Sequence, residues 1–130
     1  MSKTKLTLVK VGGKVVEEKE SLHDLLARFS KLEGLKALVH GGGRLATAIA
    51  ERLGIATQMV EGRRVTDQAM LEVVSMVYGG LVNKSIVANL QALGINAIGL
   101  TGADLNYANL RWATWTDGRT CAGDSVGGCK

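Results

Sequence analysis

Leu35-Lys36-Ala37-Leu38-Val39-His40-Gly41-Gly42-Gly43-Arg44 is the stretch whose reading decides the fold. A short apolar run ends in three glycines, and a helical period starts at once, with Leu45, Ile49 and Leu53 in register before Gly54. A buried strand that passes through glycines straight into a helix is half of a parallel β-α-β unit. Three consecutive glycines are more than a tight turn requires. They let backbone N–H groups at a helix N-terminus come close to an anion. The Gly41-Gly42-Gly43 turn is therefore a candidate anion site. His40, just ahead of them, reads as a packed or hydrogen-bonded histidine in preference to a base.

The same grammar extends in both directions. Leu6–Val11 reads as a strand ending at Gly12-Gly13. Ser21 is expected to cap the next helix, with Asp24 in the capping-box place, and Leu22, Leu25, Leu26, Phe29 and Leu32 follow at helical spacing up to Gly34. Thr57–Val60 reads as a short strand. Thr66 is expected to cap a long apolar helix through Met70, Val73, Val74, Val77 and Leu81 to about Leu93, where Gly94 stops it. Gly79-Gly80 permits a bend within that helix, and Ile95–Leu100 reads as a further buried strand. This alternation predicts an α/β fold, a three-layer αβα sandwich with a mainly parallel sheet covered by helices on both faces. Ligands in such sheets bind beyond the C-terminal strand ends. Gly12-Gly13, Gly41–Gly43 and Thr101-Gly102 would then share one edge.

Composition narrows the function classes. The 130 residues suit one domain, and 46% apolar with 22% charged residues is a globular balance. Aromatics at 4% leave few stacking platforms, which argues against nucleic acid as a partner. The formal charge of +4, with basic residues scattered among acids, suits an anionic small ligand no better than no particular partner. No apolar run approaches the ~20 residues of a membrane span, and the N-terminus lacks a secretory signal. The expectation is a cytoplasmic protein without a membrane partner. Cys121 and Cys129 lie in the last ten residues, and His23 and His40 are the only histidines, so no metal-ligand spacing exists. Free thiols are expected there. From Tyr107 the pattern fits neither helix nor strand, which separates a body, residues 1–106, from a tail, residues 107–130.

Several side chains could carry chemistry. Lys10, at a strand end beside Gly12 and Gly13, could supply a point charge to a phosphoryl group. Within Gly62-Arg63-Arg64-Val65-Thr66-Asp67, an arginine could hold a carboxylate through two parallel hydrogen bonds. Asn83 and Lys84 read as surface residues, and Asp104 either faces the ligand edge or makes an Asx turn. A rival reading is a small dinucleotide-binding domain: Gly41-x-Gly43-x-x-Ala46 fits the fingerprint, with Glu61 about 20 residues on.

Together, Lys10-Val11-Gly12-Gly13-Lys14, Leu38-Val39-His40-Gly41-Gly42-Gly43, Gly62-Arg63-Arg64-Val65-Thr66-Asp67 and Asn83-Lys84 resemble the N-acetylglutamate kinases of the amino-acid kinase family. The resemblance runs from about Leu6 to Asn106. It implies ATP-dependent phosphorylation of the side-chain carboxylate of an N-acylated glutamate, in arginine biosynthesis, with Mg2+ accompanying ATP. By resemblance Lys10 stabilises the transferring group, and Gly12 and Gly13 offer N–H donors to the phosphates. Gly42 and Gly43 hold the acyl-glutamate, and Arg64 clamps its α-carboxylate. The helix from Thr66 would form a homodimer. Family members are roughly twice as long, and their second half carries much of the nucleotide site. The resemblance therefore implies the N-terminal half of the fold, truncated, with a tail of possible frameshift origin and little turnover, or a non-catalytic binding or dimerising fragment.

Overall fold

The structure is a computed structural model that describes residues 5–104. Cys121, Cys129 and the tail from Tyr107 lie outside the described residues. The chain divides into two compact units, Met1–Gly99 and Leu100–Lys130.

In the first unit, β1 (Leu6–Val11) and β2 (Leu35–His40) pair in parallel, from Leu6 opposite Leu35 to Val11 opposite His40. Two helices make the crossover, α1 (Gly13–Glu17) and α2 (Lys19–Ser30). Glu18, not Ser21, occupies the cap position of α2, and the Ser21 hydroxyl donates to the Glu18 carboxylate. Asp24 pairs with Arg28 one turn on, at 3.0 Å. The helix thus starts two residues before Ser21. At its other end the Lys36 ammonium donates to the carbonyls of Phe29, Ser30 and Leu32, at 3.0, 2.9 and 2.7 Å. Carbonyls at and just past a helix end run short of backbone donors, so β2 helps to close the helix that precedes it.

After β2 comes α3 (Leu45–Arg52), followed by a hairpin of β3 (Gln58–Val60) and β4 (Arg63–Val65). Glu61 and Gly62 turn that hairpin with φ of +48 and +75, as a two-residue turn of this hand requires. The dinucleotide reading needs Glu61 at the end of a parallel strand. It stands instead in an antiparallel turn, which removes the geometry behind that reading. Asp67, one residue after the expected cap, begins the long helix by accepting the Met70 N–H at 2.8 Å.

The long helix, α4 (Gln68–Ala92), is continuous, but Ser75–Val82 is π-helical. A wide turn takes in an extra residue and moves the buried stripe. Met70, Val73 and Val77 are buried before it, and Val82, Ile86 and Leu90 after it. Val82 therefore lies inside, whereas Leu81, expected on the apolar face, is 52% exposed. By length and hydropathy alone this 25-residue helix could cross a membrane, which the expectation of no spanning run missed. Its inner stripe packs into one core with Leu26, Phe29, Ala46 and Ala50, against Val9 and Leu38 of the sheet.

All these helices share the sheet face that carries Val9 and Leu38. The opposite face, with Leu6, Leu8, Leu35 and Val39, is at least half exposed at each of these positions. The parallel α/β arrangement is as expected, and the described residues supply one of its helical layers. Ile95–Leu100 forms no paired strand among the described residues. In the second unit, the Asp104 carboxylate accepts the Thr101 N–H at 2.6 Å and its hydroxyl at 2.7 Å, closing a local turn.

Candidate functional site

Pairing in register brings the two strand ends level. Val11 lies opposite His40, so Gly12 and Gly41 leave the sheet as neighbours. Each strand then enters a helix, α1 at Gly13 and α3 at Leu45. The two turns touch. A Cβ on Gly13 would lie 2.5 Å from Gly43 Cα, and one on Gly43 would lie 2.9 Å from the Gly13 carbonyl oxygen. Gly43 also has φ of +56, a left-handed backbone that side chains disfavour. A Cβ on Gly42 would run into the Tyr78 ring, whereas Gly12 and Gly41 face open space. Packing therefore demands Gly13, Gly42 and Gly43.

Glu17, the last residue of α1, shows what this corner holds. Its carboxylate accepts the Arg44 N–H and lies against Gly43. An oxyanion at the start of α3 is where unpaired amides and the helix dipole favour negative charge.

Arg64 reaches the same corner from β4. Its Nη2 donates to Thr47 Oγ1 at 2.5 Å, and its Nη1 to the Tyr78 hydroxyl at 3.4 Å. That hydroxyl donates onward to the Gly43 carbonyl at 3.4 Å. The Arg64 Nε is buried with no hydrogen-bond partner. Among the described residues no carboxylate pairs with this guanidinium. Its two partners are neutral hydroxyls, so its charge stays available to an incoming anion.

Lys10 stands exposed near the end of β1, opposite Val39 and two residues ahead of Gly12. The structure thus gathers Gly12, Gly13, Gly42, Gly43 and Arg64 in one neighbourhood, with Lys10 at its border. His40 is hydrogen-bonded at both nitrogens. Nδ1 lies 3.1 Å from the Gly41 carbonyl and Nε2 lies 3.2 Å from Asn83 Nδ2. With the Asn83 amide donating to Nε2, the ring proton sits on Nδ1. Asn83, read as a surface residue, is buried at 7% exposure because it supports this ring and packs against Gly99. Lys84 is spent on the Gly99 carbonyl at 3.0 Å. A hollow of 410 Å³ between β1 and α2, lined by Val9, Leu25 and Phe29 with Asp24 and Arg28 beside them, contains none of the site residues.

Glu17, Thr47 and Tyr78 had no sequence signal of their own. Their contacts span 14 to 35 positions, and only the fold creates them.

Comparison with known proteins bears on this corner. The chain is 67% identical over 104 residues to the acetylglutamate kinase of Phocaeicola vulgatus, a match covering 80% of this chain and 40% of that one. It is 67% identical over 102 residues to that of Parabacteroides distasonis, covering 78% and 40%. It thus spans about 40% of the length of the curated relatives it matches. In fold it resembles smu.665 from Streptococcus mutans, with a TM-score of 0.63 at 22% identity, over 78% of this chain and 41% of that one. A profile of the Amino acid kinase family matches residues 5–123, which takes in both glycine turns and Arg64, and the chain belongs to that family.

Proposed function

We propose that the chain carries the acyl-glutamate-binding part of an N-acetylglutamate kinase. That activity phosphorylates the side-chain carboxylate of N-acetyl-L-glutamate, or a close N-acyl relative, with ATP, in arginine biosynthesis. The observation that carries the reading is the contact of the Gly13 and Gly43 backbones, with Arg64 joined to them through Tyr78. The identity of the matched segment to acetylglutamate kinases supports it.

The reaction joins a carboxylate oxygen to the γ-phosphorus while the bond to the ADP oxygen breaks, and ADP leaves with that electron pair. The nucleophile is already ionised, so no base is needed. In this reading Arg64 holds the substrate α-carboxylate, and Gly42 and Gly43 hold the acyl-glutamate and the moving phosphoryl at the start of α3. Gly12 and Gly13 donate N–H groups to the nucleotide phosphates, and Lys10 offsets the developing charge. The Glu17 carboxylate at the Arg44 N–H supports the fit of an anionic oxygen here. Magnesium accompanies ATP in the resemblance. Among the described residues no three His, Cys, Asp or Glu side chains cluster, so no step is assigned to a metal held by them.

The expected behaviour is binding with little or no turnover, because the chain spans about 40% of its relatives' length. Calorimetry with N-acetyl-L-glutamate tests binding, and ADP release tests turnover. Arg64→Ala should weaken binding about 10- to 100-fold, and Arg64→Lys should not restore it, since a lysine lacks the planar fork. Absence of binding, or binding indifferent to Arg64→Ala, overturns the reading. Turnover equal to that of a relative overturns the binding-only part.

Three further parts belong to the same proposal. The exposed Leu71, Met76 and Leu81 of α4 support homodimerisation through that helix, and sedimentation of the purified chain decides it. A cytoplasmic setting, without membrane or nucleic-acid partners, suits a biosynthetic enzyme acting on small anions. Residues 107–130 are taken as a tail apart from the acyl-glutamate-binding body, and sequencing codons 105–130 in independent clones tests a reading-frame origin.

A further inference from the structure

Tyr78 has no role in anything argued above beyond its contacts. Yet its side chain touches Gly42, Gly43 and Arg64 together. Its ring fills the space over Gly42 that any Cβ would need. Its hydroxyl accepts from the Arg64 guanidinium and donates to the Gly43 carbonyl, each at 3.4 Å. It reaches this position from the π-helical turn, Ser75–Val82, whose extra residue changes the direction of side chains along α4.

We propose that Tyr78 is a positioning residue for the carboxylate clamp: its phenol ties the Arg64 guanidinium to the Gly42–Gly43 turn, so that cation and amide donors face one ligand at a fixed separation. The inference rests on the acyl-glutamate reading and deepens it. Arg64 is held at Nη2 by Thr47 and at Nη1 by Tyr78. Without the phenol, one end of the fork swings free, and a planar two-point contact loses its geometry before it loses its charge. The effect should therefore concern the ligand group that Arg64 holds and spare the rest of the ligand.

The test compares N-acetyl-L-glutamate with 4-acetamidobutanoate, which keeps the acetamide and side-chain carboxylate but lacks the α-carboxylate. Calorimetry is run on the full chain and on Tyr78→Phe and Tyr78→Leu, each checked for an unchanged fold by thermal melting. Tyr78→Phe should weaken N-acetyl-L-glutamate about five- to tenfold, the scale of one weak hydrogen bond to a charged group. It should change 4-acetamidobutanoate less than about twofold. Equal losses for both ligands, or no loss for either, overturn the proposal. Hydrogen exchange across residues 41–48 gives a readout without ligand. Faster exchange in Tyr78→Leu than in the parent chain supports the tie to the turn, and unchanged exchange in both variants overturns it. If the parent chain binds neither ligand, the acyl-glutamate reading fails by itself, and exchange alone judges Tyr78.

Discussion

A methyl group added at Gly43 meets three obstacles at once: a left-handed backbone, the Gly13 carbonyl and the Glu17 carboxylate. Gly41, two residues earlier, meets none. Gly43→Ala should therefore cost at least about 2 kcal/mol, from the left-handed penalty and displaced backbone together. Gly41→Ala should be neutral or stabilising by about 0.4–1 kcal/mol, because it only restricts the unfolded chain. Urea titration of the two variants checks the contrast. The run of glycines marked the place in the sequence, but not which of them are obligatory. That depends on what the neighbouring turn and Tyr78 bring to within contact. Lys10 near Gly12 and the Arg63-Arg64 pair after Gly62 are local charge patterns, and the choice of Arg64 between the two arginines comes only with the family resemblance. Tyr78 was not readable, since a tyrosine in an apolar helix looks like core.

Among the elements, the long helix separates the local signal from the global one. Helical spacing from Met70 to Val77 was readable, and extrapolating it at a constant period put Leu81 inside. The five-residue step from Val77 to Val82 instead follows the π turn, and Gly79-Gly80, read as a bend, lies within it. At concentrations where the chain is monomeric, Leu81→Ala should accordingly stay within about 0.5 kcal/mol of the parent. Ile86→Ala, at 4% exposure on the shifted stripe, should cost about 2–5 kcal/mol. Denaturation midpoints of the two variants distinguish the shifted stripe from a straight one. The hairpin of Gln58–Val60 and Arg63–Val65 did carry a local sign, the two-residue Glu61-Gly62 turn. Helix starts were legible only to within one to three residues, since Thr66 and Asp67 both suit a cap, and the Ser21 hydroxyl is engaged by Glu18, which takes the cap position itself.

For the whole molecule, the parallel pairing and its crossover followed from the strand–glycine–helix order, and they set the two turns side by side. Periodicity could not say which sheet face the helices cover, because both faces of β1 and β2 carry apolar residues and each also carries a polar one. Leu6 at 58%, Leu8 at 59% and Leu35 at 58% exposure make a continuous apolar surface, of the kind that drives association. Leu8→Lys should lower concentration-dependent self-association, measured by light scattering, while leaving the melting temperature nearly unchanged, because Leu8 contributes little to the core. The pair also has a polarity. Among the described residues both outer edges of this two-stranded sheet are unpaired. A strand joining β1 in the same sense would end level with Gly12 and deliver the loop that follows it to the glycine turns. One joining in the opposite sense would bring the loop that precedes it. The heading of an added strand, and not merely its arrival, thus selects which part of an incoming polypeptide meets the anion corner.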